Sequence, residues 1–186
     1  RRILLVCNNY DSFSLEEDGH IEAQISQDYA ELNLSNPPVI VRDTALFDLW
    51  RADAYREHTV EDAVRICARI VPLFERAGIP VIRLGLNPTE ELSCGAAVAG
   101  AYHPALGEQV KSRIFYNRAE KLLEGIKPGS KVVLEVHPSQ LSQMTGQHRQ
   151  NITGLTERFS LAELKVRSGA EEKDEIRVIA ADSGSI

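Results

Sequence analysis

The residues of this 186-residue chain with the widest chemical range are three cysteines and five histidines: Cys7, Cys67, Cys94, His20, His58, His103, His137 and His148. Cys94 lies in "LSCGAAVAG", where small residues permit the sharp turn that exposes a nucleophilic thiolate, and His103 follows close behind as a candidate base. No G-x-C-x-G pattern surrounds Cys94, so the competing reading is an inert packing thiol. Cys67 falls on the apolar face of a helical pattern and Cys7 ends an apolar run, so both read as core. An odd cysteine count without a CxxC pair opposes a disulfide framework and a zinc ribbon, and it fits a reducing, cytoplasmic setting. No histidine pairs as H-x-H or H-x3-H, which leaves a metal site without local support. His137 ends an apolar run just before Pro138, and ligands of α/β sheets gather at the carboxyl ends of strands, which gives it functional weight. His103 precedes Pro104 and reads either as a binding group or as a loop histidine capping the helix that starts near Ala105. Glycine-rich phosphate loops of the G-x-G-x-x-G and G-x4-G-K-[ST] types are absent.

These residues must be positioned by alternating strands and helices. "RRILLVC" reads as a buried strand over 3–7, and residues 15–34 carry a moderate helical pattern. After "SNPP", "VIVRDT" reads as a strand and "ALFDLWRA" as a short helix. Thr59 is a candidate N-cap with Asp62 three residues on. Val60, Ala63, Val64, Cys67, Val71 and Phe74 then share one helical face up to the C-cap Gly78. Pro72 inside this helix predicts a kink. A strand over 79–85 follows, and then about twenty residues with little periodicity, a length that in compact domains is functional or disordered. Leu106, Val110, Ile114, Ala119, Leu122 and Leu123 predict a second long helix, "KPGS" a turn, and 131–136 a strand. A weaker helix through "TGQHRQNITGLTERF" contains two costly glycines, and "ELKVR" and "EIRVIA" close the chain as strands before the tail "DSGSI".

Hydrophobic content of 43% and charged content of 26% are those of a globular protein. No apolar run approaches the length that spans a bilayer, and the apolar part of "RRILLVCNNY" is too short for a signal peptide, so no membrane partner is expected. The net charge of -6 is uneven: residues 105–168 hold ten Lys+Arg against six Asp+Glu. That excess fits a solvated helix face or contact with a phosphate backbone, which keeps RNA as a possible partner.

The order "VIVRDTALFDLWRADAYREHTVEDAVRIC", "AGIPVIRLGLNPTEEL", "AGAYHPALGEQVKSR" and "KVVLEVHPSQLSQMTGQHRQNI", over residues 39–181, resembles the C-terminal part of radical S-adenosylmethionine (radical SAM) proteins. The branch it resembles is the bacterial one similar to the catalytic subunit of elongator. The resemblance implies that 39–44 is a late strand of a partial (β/α)6 barrel and 79–86 its last strand, followed by an appended C-terminal region. Such proteins hold a [4Fe–4S] cluster on cysteines spaced C-x3-C-x2-C, or a longer variant, and cleave S-adenosylmethionine on it. Cys7, Cys67 and Cys94 do not have that spacing. No cofactor is therefore expected in this chain, and it should not make a radical by itself. The chain starts at Arg1 rather than Met, and a C-x3-C-x2-C encoded upstream would make it a fragment of an enzyme.

A second resemblance covers residues 1–43. "RRILLVCNNYDSFSLEEDGHIEAQISQDYAELNLS" is similar to the start of receiver-like domains in relatives of phosphoenolpyruvate-utilising enzymes. "NNYDSF" is also similar to the first strand of class I glutamine amidotransferases, whose nucleophile motif and later histidine are absent. A phosphate-accepting receiver carries acidic residues just after its first strand, where this chain has Asn8 and Asn9, so phosphorylation is not expected.

The resulting expectation is an α/β protein with a mainly parallel sheet and flanking helices, resembling a partial radical SAM barrel end plus a C-terminal extension. Its segments are a receiver-like 1–38, the last βαβ of a partial barrel over 39–86, and an α/β extension over 87–186. The expected function is a radical SAM-related C-terminal module, not catalytic in this chain. The alternatives are a receiver-like regulatory or protein-interaction domain and an RNA-contacting module. In the resembling family the end of the last barrel strand and the loop after it face the cofactor side. Arg83, Gly85, Asn87, Tyr102, His103 and His137 are thus the candidate binding residues, for a small molecule at the sheet edge.

Overall fold

The computed structural model describes residues 3–5, 39–79, 81–85 and 95–183. The helical pattern over 15–34, the "NNYDSF" stretch, Cys7, His20, Asn87 and Cys94 lie outside the described residues. The chain divides into two units, Arg1–Val110 and Lys111–Ile186, the division falling inside the second long helix.

In the first unit, short apolar runs make short strands. Strand β1 (Ile3–Leu5) pairs in parallel with β3 (Val81–Leu84), Ile3 lying opposite Val81 and Leu5 opposite Leu84. Strand β2 (Val39–Val41) pairs antiparallel with β4 (Ala97–Gly100), and the Arg42 N–H extends that ladder to the Ala96 carbonyl at 3.0 Å. β4 corrects the expectation of an aperiodic loop there. "AVAG" carries little strand signal because Ala and Gly bring almost no side chain to pack, and the pairing with β2 overrides that.

Helix α1 (Ala45–Arg51) starts where the Thr44 hydroxyl accepts the Phe47 N–H at 3.2 Å, and none of its residues is buried. Helix α2 (Val60–Arg76) buries Ala63, Val64, Ile66, Cys67, Ala68, Ile70, Val71 and Phe74 and runs through Pro72. At its start the Thr59 hydroxyl accepts the Asp62 N–H at 3.1 Å, while Asp62 Oδ2 accepts the Thr59 N–H at 3.2 Å. This reciprocal pairing satisfies two backbone donors that a helix start leaves without partners. At its end Gly78 takes φ +69°, Ile79 N–H reaches the Phe74 carbonyl and Gly78 N–H the Glu75 carbonyl, the two bonds of a Schellman stop.

Helix α3 (Leu106–Leu123) buries Leu106, Val110, Ile114, Phe115, Ala119 and Leu123. Leu122, expected on that face, is 42% exposed. Eighteen residues at 3.6 per turn rotate the stripe, so Phe115 faces inward and Leu122 does not.

In the second unit, β5 (Ser130–Val136) is central in the order β6-β5-β7, parallel to β6 (Glu163–Ser168) and antiparallel to β7 (Ile176–Ser183). Ser130, Val132, Leu134 and Val136 are buried at alternate positions, as a strand with one covered face requires. Helices α4 (Leu141–Thr145) and α5 (Gln150–Arg158) form the connection from β5 to β6. Phe115, Ala119 and Leu123 join Val132, Leu134, Val136, Met144, Ile152, Leu155, Leu161 and Leu164 in one core. The expected weak helix begins only at Gln150, because His148 and Arg149 take φ +49° and +62°. Asp182 and Ser183, expected in the tail, extend β7.

The α/β class holds. Among the described strands, however, two ladders are parallel and two antiparallel rather than mainly parallel. β7 is antiparallel because the 169–175 loop is too short for the crossover that a parallel return needs. Among the described residues no helix is long and apolar enough to cross a membrane.

Candidate functional site

The carboxyl end of β3 and the start of α3 meet in the first unit. Gly85 leaves β3 at φ +83°, and a Cβ there would lie 2.9 Å from Leu106 Cδ2. A Cβ on Gly107 would lie 3.9 Å from Leu84 Cβ. The sequence folds this way because His103-Pro104 starts α3 sharply. Pro104 holds the preceding residue extended, His103 Nδ1 accepts the Ala105 N–H at 3.0 Å, and the His103 carbonyl accepts the Leu106 N–H at 3.1 Å. An Nδ1 used as acceptor leaves the proton of a neutral imidazole on Nε2. The ring of His103 therefore tethers the helix, and the residue stays exposed. Tyr102, beside it, is half-buried, and its hydroxyl is buried without a hydrogen-bond partner. Arg83 sits in β3 opposite Leu4 of β1.

His137 stands in the second unit and repeats the device. Its Nδ1 accepts the Ser139 N–H at 3.2 Å, lies 2.8 Å from Ser139 Oγ, and so caps the 3-10 turn Pro138–Gln140. The loop from β6 to β7 crosses the end of β5 here. Gly169 and Ala170 N–H groups donate to the Val136 carbonyl at 3.1 and 3.3 Å. Gln140 then holds the far side of the loop, its Nε2 donating to Asp174 Oδ1 and its Oε1 accepting the Asp174 N–H, both at 2.8 Å. Arg118 adds a bond to the Asp174 carbonyl at 3.0 Å. The Val136 carbonyl at this strand end is thus taken by the chain itself.

Arg83, Gly85, Tyr102 and His103 accordingly belong to the first unit and His137 to the second, while Asn87 lies outside the described residues. Sequence reasoning missed Glu57 and His58, in the segment leading into α2, where Glu57 Oε2 and His58 Nε2 are buried without hydrogen-bond partners. Neither belongs to a motif, so no spacing signalled them. Burial pushes the His58 imidazole below its ordinary value, with Arg65 adding to the effect and Asp62 opposing it. The hydroxyl of Thr59 holds the Asp62 carboxyl below its ordinary range. Burial, and then the Glu57 carboxylate, push the Tyr55 phenol up.

Cys67 is 3% exposed within the α2 core, and among the described residues no group of three His, Cys, Asp or Glu side chains could hold a metal. What the β3–α3 junction offers is hydrogen bonding: an orphaned phenol beside an exposed imidazole.

Comparison with curated proteins and with solved structures gives no match. Residues 37–115, under half of the chain, match the family model of the Radical_SAM C-terminal domain. That segment runs from β2 through β3, β4 and the junction to Phe115 of α3. Over it, the chain is similar to the C-terminal domain of radical SAM proteins.

Proposed function

We propose that this chain is a radical SAM-related C-terminal module, of the elongator-like kind, that binds a small molecule at the carboxyl edge of β3 and performs no radical chemistry itself. The match over residues 37–115 carries the reading, and it includes the whole β3–α3 junction. Its proposed binding residues are Arg83, Gly85, Tyr102 and His103, with Asn87, outside the described residues, taken from the sequence alone, and His137 is a candidate in the second unit. The Tyr102 hydroxyl, buried and without a hydrogen-bond partner, is a polar group that a ligand or ordered water reaching it would satisfy. The three cysteines lack the spacing a cluster needs, which supports a non-catalytic role in a cytoplasmic setting.

Anaerobic reconstitution with iron and sulfide tests the non-catalytic part. The expected outcome is no stoichiometric four-iron absorbance and no cleavage of S-adenosylmethionine. A loaded cluster with cofactor cleavage overturns it.

A further inference from the structure

His58 stands immediately before the capping box that starts α2. Its Nε2 is buried and has no hydrogen-bond partner, an arrangement a neutral ring tolerates far better than a charged one. Next to it, Thr59 and Asp62 exchange three hydrogen bonds: Thr59 Oγ1 donates to Asp62 Oδ2 at 2.8 Å, Thr59 N–H donates to the same oxygen at 3.2 Å, and Asp62 N–H donates to Thr59 Oγ1 at 3.1 Å. Arg65 approaches the other carboxylate oxygen, with Nη2 at 3.8 Å from Asp62 Oδ1. Asp62, a carboxylate that would welcome a His58 cation, is therefore already engaged by the helix cap and by Arg65.

We propose that His58 is a proton-operated latch on the start of α2: neutral, it packs half-buried in the segment leading into the helix, and protonated, it leaves for water or competes for Asp62 and loosens the cap. The proton adds to whichever ring nitrogen carries none in the neutral tautomer. The ring thereby gains a charge and a second donor, while its buried Nε2 has no hydrogen-bond partner. Among the described residues, Asp62 favours the His58 cation and Arg65 opposes it, and the neighbouring residue Glu57 is a further carboxylate, whose Oε2 is also buried without a hydrogen-bond partner. Burial is the largest effect and lowers the folded-state value. The unfolded chain then binds the proton more readily than the folded one. Stability is full above the ordinary imidazole range and declines as pH falls through and below it, until the folded ring also protonates.

The test is residue-resolved NMR of the full chain from pH 8 to pH 5, following the His58 ring and the amide exchange of Ala63, whose N–H closes the first turn on the Thr59 carbonyl. The latch predicts a His58 midpoint below that of a histidine peptide. It also predicts Ala63 exchange, corrected for intrinsic rate, that rises by up to about tenfold per pH unit within the window. His58→Asn, which cannot take the charge, is expected to flatten that rise. A His58 midpoint at or above the peptide value overturns the proposal whether or not the variant folds, and so does an unchanged rise in His58→Asn.

Discussion

At the scale of single residues, two side chains at the β3–α3 junction have separable roles. His103 is a cap: its Nδ1 accepts the Ala105 N–H. Loss of a side-chain cap costs about 1 kcal/mol. His103→Ala should therefore lower stability by about that amount, whereas His103→Asn, whose amide oxygen reaches the same N–H, should recover most of it. Thermal melts of both variants check this, and equal losses would mean the imidazole stabilises by packing instead. Tyr102 behaves in the opposite way. Its hydroxyl is buried and unpartnered, so removing it leaves no donor orphaned. Tyr102→Phe should leave stability unchanged or raise it by about 1 kcal/mol. A loss of more than about 1 kcal/mol would show that the phenol already has a partner.

At the scale of elements, close approach decides where glycine is required. Gly85 combines φ +83° with a Cβ position 2.9 Å from the Leu106 side chain. Gly85→Ala should cost more than about 1 kcal/mol, because the strained backbone and the contact add. A denaturant midpoint unchanged from the wild type would contradict this. In the second unit Gly146 has φ +74° and a Cβ position 3.1 Å from the Asn151 N–H nitrogen. Asn151 there bonds the carbonyls of Ser112, Gln143 and Met144 together, at 3.0 to 3.2 Å. The long helices were legible from sequence because their apolar stripes and caps are local: Thr59, Asp62 and Gly78 do what their types imply. β4 was not legible, since its partner β2 lies far away in sequence and "AVAG" has no side-chain pattern of its own. The glycine at 154, a cost in any isolated helix, is explained only by packing, with its Cβ position 3.3 Å from the Tyr116 ring. His103 could be read as a cap from the His-Pro pair, but Glu57 and His58 acquire meaning only once burial is known.

At the scale of the molecule, the segment 37–115 and the β3 edge within it carry the proposed binding function. Both His-Pro pairs sit before helical turns and both use Nδ1 to hold the backbone, yet only the first lies within the matched segment. In the second, the β6–β7 loop already occupies the Val136 carbonyl, which makes the β3 edge the stronger binding candidate. The most direct measurement is amide chemical-shift mapping of the chain with millimolar S-adenosylmethionine. Binding at the β3 edge should shift the amides of Gly85, Tyr102 and His103. No shifts, or shifts confined to residues remote from Gly85 and His103, would contradict it and leave the junction as scaffold.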